Sequence, residues 1–182
     1  MTAASLHFLP FELPRWDALA LPGRASDAPP LPSALALGVF TDERPLRGAA
    51  GLCDWRLCGR LSRLLRADRL SGREDEVVLL PPARARLPFS RLVLFGMGEQ
   101  HGFDERRYRT QVARMRDVLD RAGVKSYALQ PPGRSSGLIA ARRALELWQE
   151  QSKADGFEHE VTLVESPQGQ KEMSEALRGR NR

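Results

Sequence analysis

Short apolar runs alternate along the chain with longer segments in which apolar residues recur every three or four positions. The short runs have the length of β-strands. They are Ser5 to Leu13, Leu35 to Phe40, Glu76 to Leu80, Arg91 to Phe95, Val124 to Leu129 and Glu160 to Val164. Pro10 places the first run at a sheet edge or a strand end. The Pro-, Gly-, Ala- and Ser-rich stretch Pro22 to Pro32 predicts a loop.

The first helical segment is predicted over Gly48 to Asp68. Its apolar residues recur at helical spacing and form one stripe: Cys53, Leu57, Leu61, Leu64 and Leu65. Arg56, Arg60 and Arg63 lie on the other side, so the helix is amphipathic and its apolar side should face the core.

Three further helices follow. Asp104 is expected to cap one that runs to about Ala122 and ends at Gly123. Its buried face comprises Tyr108, Val112, Met115 and Leu119. Ser135 or Ser136 is expected to cap the next, which points Leu138, Ala141, Leu145 and Trp148 inward. The last helix should run from Ser166 to about Leu177.

Strands that alternate with helices predict an α/β protein, a three-layer α/β/α domain with a mixed, mostly parallel sheet. The connection between Glu76–Leu80 and Arg91–Phe95 is too short for a crossover helix, so this pair should be antiparallel. At 182 residues the chain fits one domain over 1–182. Residues 178–182 are expected to form a flexible basic tail.

The charge raises the question of an anionic partner. Net charge is +5, and the only lysines are Lys125, Lys153 and Lys171, so the excess is almost entirely arginine. Arginine forks suit phosphates, and Arg56, Arg60 and Arg63 form a candidate nucleic-acid or partner face. The alternative is the arginine bias of a GC-rich genome, with a solvated helix face.

Other chemistry is sparse. Cys53 and Cys58 are the only cysteines and have the spacing of neither a disulfide framework nor a zinc site. The three histidines share no metal-ligand spacing, so neither a metal nor another cofactor is expected. No run of about 20 apolar residues and no secretory signal is visible, which indicates a cytoplasmic protein without a membrane partner.

Three Gly-containing loops each follow a strand and precede a helix. Helix N-termini expose free N–H groups, and such loops gather where ligands bind in open α/β sheets. The candidate anion or nucleotide residues in them are Arg47, Gly48, Gly96, Gly98, Gly133, Ser135 and Ser136. Glu99 beside Gly98 opposes phosphate binding, and turn and capping geometry explains the same residues without a ligand.

Three stretches together resemble the N-terminal, non-catalytic domain of the leucine aminopeptidase family. They are GVFTDERPLRGAAGLCDWRLCGRLSRLL from Gly38, RLVLFGMGE from Arg91 and FDERRYRTQVARMRDVLDRAGV from Phe103. The resemblance covers roughly Leu35 to Gln151. It implies a macro-like α/β fold, in agreement with the order of strands and helices. Macrodomains use comparable loops to hold ADP-ribose, which implies a nucleotide pocket near Arg47 to Gly51 as one alternative.

The family's metals and chemistry lie in a C-terminal domain marked by an Asn-Thr-Asp-Ala-Glu-Gly-Arg-Leu stretch. Asn181 is the only asparagine here, so neither that motif nor a macrodomain-type catalytic asparagine is present. No catalytic and no metal-binding residue carries over. The expectation is a non-enzymatic, stand-alone relative of the non-catalytic domain.

The function expected is protein interaction or regulation, with a catalytic aminopeptidase relative as one candidate partner. Alternatives are nucleic-acid binding through the arginine face, macrodomain-like ADP-ribose binding, and a fragment of a complete aminopeptidase. Some bacterial members of the family double as DNA-binding regulators. The catalytic domains form the centre of the family's hexamers, so a monomer or weak dimer is expected for this chain.

Overall fold

A six-stranded sheet runs through the computed structural model, which describes residues 6–10, 32–81, 86–154 and 159–180. The strands are β1 (Leu6–Pro10), β2 (Ala34–Val39), β3 (Val77–Leu80), β4 (Arg91–Gly96), β5 (Ser126–Leu129) and β6 (Glu160–Glu165). Their order is β1-β6-β5-β2-β4-β3. All neighbours are parallel except β3, which pairs antiparallel with β4.

This sheet confirms the predicted mixed, mostly parallel arrangement and the antiparallel pair. Among the described strands β1 has β6 as its one neighbour, and it ends at Pro10, as the prediction of a sheet edge or a strand end at Pro10 requires. The remainder of the predicted first strand, and the predicted loop as far as Leu31, lie outside the described residues.

Helices cover both faces of the sheet and make the fold three-layered. On one face lie α1 (Gly48–Arg56) and α2 (Arg60–Arg66). On the other lie α3 (Glu105–Arg121), α4 (Ala141–Ala154) and α5 (Pro167–Arg180). Because alternate residues of each strand point to opposite faces, Leu35 and Leu37 pack under α1 while Ala34 and Ala36 pack under the other helices.

The prediction of one helix over Gly48 to Asp68 is wrong, because the chain breaks it between Arg56 and Arg60. The N–H of Gly59 donates to the carbonyl of Asp54 at 2.8 Å, and that of Cys58 to Trp55 at 3.0 Å. This pair of bonds is a Schellman motif, with Cys58 in the left-handed conformation at φ 54°. The apolar stripe survives the break, since Cys53, Leu57 and Leu61 are buried.

The helix that follows β5, α4, starts later than predicted. Neither Ser135 nor Ser136 caps it, since α4 begins at Ala141 and both serines lie in a turn before it. The Ser136 hydroxyl instead donates to the side chain of Glu43, a contact that the local sequence does not reveal. Of the inward residues predicted for this helix, Ala141, Leu145 and Trp148 are buried and Leu138 is partly buried.

The other two helices follow the pattern closely. Asp104 caps α3 through its Oδ1, which accepts from the N–H of Arg107 at 2.8 Å, and the predicted face of α3 is buried. The final helix α5 continues to Arg180, so residues 178–180 of the predicted flexible tail are helical. Arg178 and Arg180 are good helix formers, whereas Gly179 between them is not, so local propensity alone does not explain the longer helix. Residues 181–182 lie outside the described residues.

Candidate functional site at the carboxyl ends of the strands

The three predicted loops do come together, at the carboxyl ends of β2, β4 and β5. The loop after β2 bonds to the loop after β4 through the N–H of Thr41, which donates to the carbonyl of Gly98 at 2.9 Å. Asp42 reinforces this contact by accepting from the N–H of Gln100 at 3.0 Å. This is the edge of an open α/β sheet where ligands usually bind, which makes it the first place to look for a site.

The N-terminus of α1, the predicted anion position, is already occupied by the protein itself. Arg47 is its N-cap residue, and Gly48 follows with φ at +57°. The side-chain carbonyl oxygen of Gln130, just after β5, accepts from the N–H of Ala49 at 3.0 Å. A Cβ at Gly48 would lie 2.6 Å from that oxygen and 2.7 Å from the Cβ of Ser135, so only glycine fits.

Two buried carboxylates lie at the same end of the sheet. Glu43 is 3% exposed and accepts a hydrogen bond from the hydroxyl of Ser136. Glu165 ends β6 and pairs with Arg134, whose Nε and Nη2 lie 2.7 and 3.2 Å from its oxygens. Arg134 also donates from Nη1 to the carbonyl of Ile139 at 2.6 Å. The guanidinium that could have met a phosphate therefore neutralises a carboxylate of the same chain.

Gly96 ends β4 and Gly98 lies in the loop that follows, and this loop is held by an arginine of α3. The Nη1 of Arg107 donates to the carbonyls of Glu99 and His101 at 3.0 and 3.2 Å. Its Nη2 lies 2.6 Å from the carboxylate of Glu74 and 3.0 Å from the carbonyl of Met97. The guanidinium of Arg107 therefore donates to groups of the same chain, and these hydrogen bonds hold the loop in one conformation.

The predicted arginine face lies elsewhere, on α1 and α2, and the helix break divides it. The Nε of Arg56 donates to the carbonyl of Arg86 at 2.6 Å, and the Nη1 of Arg60 to that of Pro81 at 3.2 Å. Arg63 donates to the carbonyl of Cys58 at 2.7 Å. Each of the three guanidiniums therefore stabilises a backbone turn or connection, besides any contact it offers to solvent.

Reactive side chains do not gather in this region. In the part of the chain that the structure describes, no group of three or more His, Cys, Asp or Glu side chains could hold a metal ion. Both cysteines are free thiols; Cys53 is buried, and burial raises the pKa of its thiol far above the ordinary value. Burial likewise raises the pKa of Tyr108, whose hydroxyl donates to the carbonyl of Ala144 at 3.0 Å. The Cys53 thiol and the Tyr108 hydroxyl are therefore protonated at neutral pH.

Sequence reasoning found the loops but missed the side chains that close them. The hydrogen bonds that close the loops are made by four side chains that the sequence pattern does not mark as site residues: Gln130, Glu43, Arg134 and Glu165. One signal was available: Gln130 and Glu165 are polar residues at the carboxyl ends of apolar strands, where a buried polar group needs a partner.

Comparison with known proteins agrees with this architecture. The model of the cytosol aminopeptidase family, N-terminal domain, matches residues 36–151. A protein named "Probable cytosol aminopeptidase" from Idiomarina loihiensis is 36% identical over 91 residues, which cover 50% of this chain and 18% of that protein. One of the same name from Geobacter sp. is 27% identical over 154 residues, covering 79% and 31%.

Solved structures show the same fold. A tomato leucine aminopeptidase mutant superposes with a TM-score of 0.56 at 14% identity, over 95% of this chain and 35% of that one. A Trypanosoma brucei macrodomain in complex with ADP gives a TM-score of 0.62 at 12% identity, over 80% of this chain and 63% of that one. The fold is thus that of a macro-like α/β domain.

The chain belongs to the cytosol aminopeptidase family and carries its N-terminal domain. It spans less than a third of the length of these two curated relatives. Among the helices of the described residues, none combines the length and the apolar character needed to cross a membrane.

Proposed function

We propose that this chain is a non-catalytic protein-interaction domain, which acts by binding another protein rather than by turning over a substrate. The proposal is supported by the strand-end loops, whose polar groups are largely bonded to each other. Among the described residues, moreover, no group of three or more His, Cys, Asp or Glu side chains could hold a catalytic metal ion. The relatives are cytosol aminopeptidases, so we also propose the cytoplasm as its compartment.

The observation that carries the proposal is an exposed tryptophan beside a groove. Trp55, near the end of α1, is 69% exposed. It lines a groove of about 490 Å³ together with Arg56, Cys58 and Arg86. Tryptophan and arginine dominate the binding energy of protein interfaces, because they combine large apolar area with directed hydrogen bonds. An exposed tryptophan flanked by arginines is therefore a fitting anchor for a protein partner.

A catalytic aminopeptidase of the same organism is the first partner to test, because this domain is found joined to such enzymes in its relatives. The purified chain would be mixed with the purified enzyme, and the complex measured by light scattering after gel filtration. We expect a complex that Trp55→Ala weakens at least about tenfold, the loss of roughly 1.4 kcal/mol expected for a hot-spot residue.

The matched control is Glu175→Ala on α5, which removes an exposed side chain on the other face of the sheet and should leave the complex intact. In parallel, a photo-crosslinking residue at position 55 would be compared in cells with one at position 175. The interaction proposal would be refuted if no complex formed with the aminopeptidase and if position 55 crosslinked no protein that position 175 does not also crosslink.

Nucleotide binding, suggested by the macrodomain fold, has less support. A phosphate at the N-terminus of α1 would have to displace the oxygen of Gln130, and it would meet the buried carboxylate of Glu43 nearby. We expect no heat when ADP-ribose is titrated at millimolar concentration into the chain by calorimetry. A saturable heat would restore the nucleotide hypothesis.

The hypothesis of nucleic-acid binding rests on the net positive charge and on the arginine face, which the break between α1 and α2 divides. The bonds of Arg56, Arg60 and Arg63 to backbone carbonyls give these residues a structural role without a ligand. Binding through phosphate contacts would weaken steeply with salt, so a gel shift repeated at two salt concentrations separates this alternative from protein binding.

A further inference from the structure

A second surface is the open edge of the sheet at β3, where main-chain groups and apolar side chains are exposed together. Among the described strands β3 has one neighbour, β4. The carbonyl of Glu76 accepts from Gly96 of β4 at 2.9 Å, so Glu76 and Val78 direct their main-chain groups inward. By the alternation of an antiparallel ladder, those of Val77 and Leu79 point away from the sheet.

The side chains of the same two residues are also exposed. Val77 is 38% and Leu79 62% exposed, whereas Val78 packs against the cluster under α1 and α2 and Leu80 is buried in it. Natural proteins usually protect sheet edges with charges, prolines or a covering element, because an open apolar edge pairs with another strand. Val77 and Leu79 lack such protection, and Pro81 blocks only the end of the strand.

We infer that β3 pairs with β3 of a second copy of this chain, in an antiparallel two-fold dimer that extends the sheet across both molecules. With the axis at Val78, Val77 of one copy faces Leu79 of the other, and the reverse pair is equivalent. Both residues direct N–H and C=O outward, so each pair exchanges both of its hydrogen bonds. Their side chains form apolar cross-strand pairs on one face.

Charge complementarity selects a second copy over an unrelated strand. Asp75 precedes β3, and its side chain is 93% exposed, with the carboxylate 3.5 Å from the Nε of Arg114 of α3. It is therefore on the same face as α3. Arg91, at the start of β4, is exposed at the opposite end of the pair, next to Pro81 in the register.

In the two-fold arrangement Asp75, in the turn that precedes β3, lies beyond the paired residues at the end where Pro81 of the second copy is, and the exposed Arg91 of that copy is one strand further away. Asp75 of each copy is therefore on the same side as Arg91 of the other copy, and the two-fold axis produces two such pairs. A chain of unrelated sequence would complete the hydrogen bonds equally well but would not reproduce these two charge pairs. This inference is independent of the partner proposed for Trp55.

The edge is only four residues long, so the interface is expected to be smaller than the standard size class and the dimer to be weak. Sedimentation equilibrium over a concentration series up to about 500 µM would measure the association. Leu79→Glu should weaken association at least about tenfold, because it places a charge in the apolar pairs. The control Gln168→Glu adds the same charge on α5, at an exposed position, and should change nothing.

The decisive comparison is a charge reversal and its rescue, measured at low salt because the two charges are about two strand spacings, roughly 10 Å, apart. Arg91→Asp alone should weaken the dimer several-fold, since the new carboxylate at position 91 would then repel Asp75 of the second copy. Adding Asp75→Asn should restore part of the loss, because it removes that repulsion while asparagine tolerates the left-handed conformation of position 75, at φ 69°. A monomer at every concentration, a dimer insensitive to Leu79→Glu, or a charge reversal that Asp75→Asn does not rescue would each overturn the inference. Since Trp55 is unchanged in these variants, binding to an aminopeptidase can be scored separately.

Discussion

The strand-end loops and the β3 edge differ in whether their polar groups have hydrogen-bond partners within the chain. In the loops, polar groups from distant parts of the chain bond to each other: the Gln130 side chain accepts from the main-chain N–H of Ala49, Ser136 donates to Glu43, and Arg134 donates to Glu165. At the edge, Val77 and Leu79 leave both apolar side chains and main-chain groups open to solvent.

The difference shows that the place where a ligand is expected from the fold is not always the place most ready to bind one. An anionic ligand at the N-terminus of α1 would have to displace the side-chain oxygen of Gln130 from the N–H of Ala49, and this costs the desolvation of each group left unpaired. A strand at the β3 edge displaces only water and completes an existing hydrogen-bond pattern. Four substitutions test this contrast.

The largest effect is expected for Gly96→Ala, at the point where the two regions meet. A Cβ on Gly96, the last residue of β4, would lie 1.7 Å from the carbonyl oxygen of Arg73, in the segment that leads to β3. The backbone would have to move, so we expect a loss of more than about 4 kcal/mol of unfolding free energy, or failure to fold. Urea denaturation followed by circular dichroism measures this.

The control for that substitution is Gly179→Ala in α5, where a Cβ meets nothing within 4 Å. It should be neutral or slightly stabilising, because alanine favours a helix over glycine. Equal effects of the two substitutions would show that close packing against Arg73 is not what makes Gly96 necessary.

Arg134→Met should have the next largest effect, about 3 kcal/mol, because it leaves the buried carboxylate of Glu165 without its guanidinium. Arg142→Met is the matched control: it breaks an Arg–Glu pair in which the side chain of Arg142 is 71% exposed. An exposed pair contributes at most about 1 kcal/mol. If chemical denaturation gave similar losses for both, the strand-end loops would not be the tightly bonded region described above.

Gln130→Ala should cost about 1–3 kcal/mol, the cost of leaving the buried N–H of Ala49 without a partner. The same substitution removes the acceptor of the Ala49 N–H and so tests whether Gln130 closes the N-terminus of α1. We expect hydrogen exchange at Ala49 to accelerate in the variant, measured by NMR. Unchanged protection of that amide would indicate that Gln130 has no part in closing the helix end.

The smallest effect on folding is expected at the edge. Leu79→Thr changes a largely exposed side chain and introduces a β-branched residue, a type that strands favour. The free energy of unfolding in dilute solution should therefore change by less than about 0.5 kcal/mol. Thermal melting at low micromolar concentration measures it. A loss as large as that of Gln130→Ala would mean that Leu79 belongs to the core rather than to an open surface.

Most of the fold was predictable because its signals are local. The apolar runs of β2 and β4, the helical periodicity of α3 and the Asp104 cap depend on neighbouring residues, and all were confirmed. The break between α1 and α2 was missed because its Schellman motif places Cys58 in the left-handed position, and Gly59, left-handed at φ 76° directly after it, is a single glycine of the kind that helical patterns tolerate. Composition alone gives no sign that a cysteine will adopt that conformation.

The candidate site was predictable only in outline. Glycines after strands correctly indicated where the loops lie, since the carboxyl ends of parallel strands meet at one edge of a sheet. The bonds that close those loops join residues far apart in the chain, such as Ala49 with Gln130 and Glu43 with Ser136. No local pattern encodes such pairs.

The sequence by itself determined the strands, most of the helices, the macro-like class and the resemblance to the aminopeptidase N-terminal domain, because periodicity and capping act over a few residues. Only the tertiary structure decided that the anion position at α1 is filled by Gln130, that Arg134 neutralises Glu165, and that Val77 and Leu79 lie on an open edge. The physical reason is that burial and hydrogen bonding between distant segments depend on how the layers pack. Whether a polar residue is available to a ligand is settled by that packing.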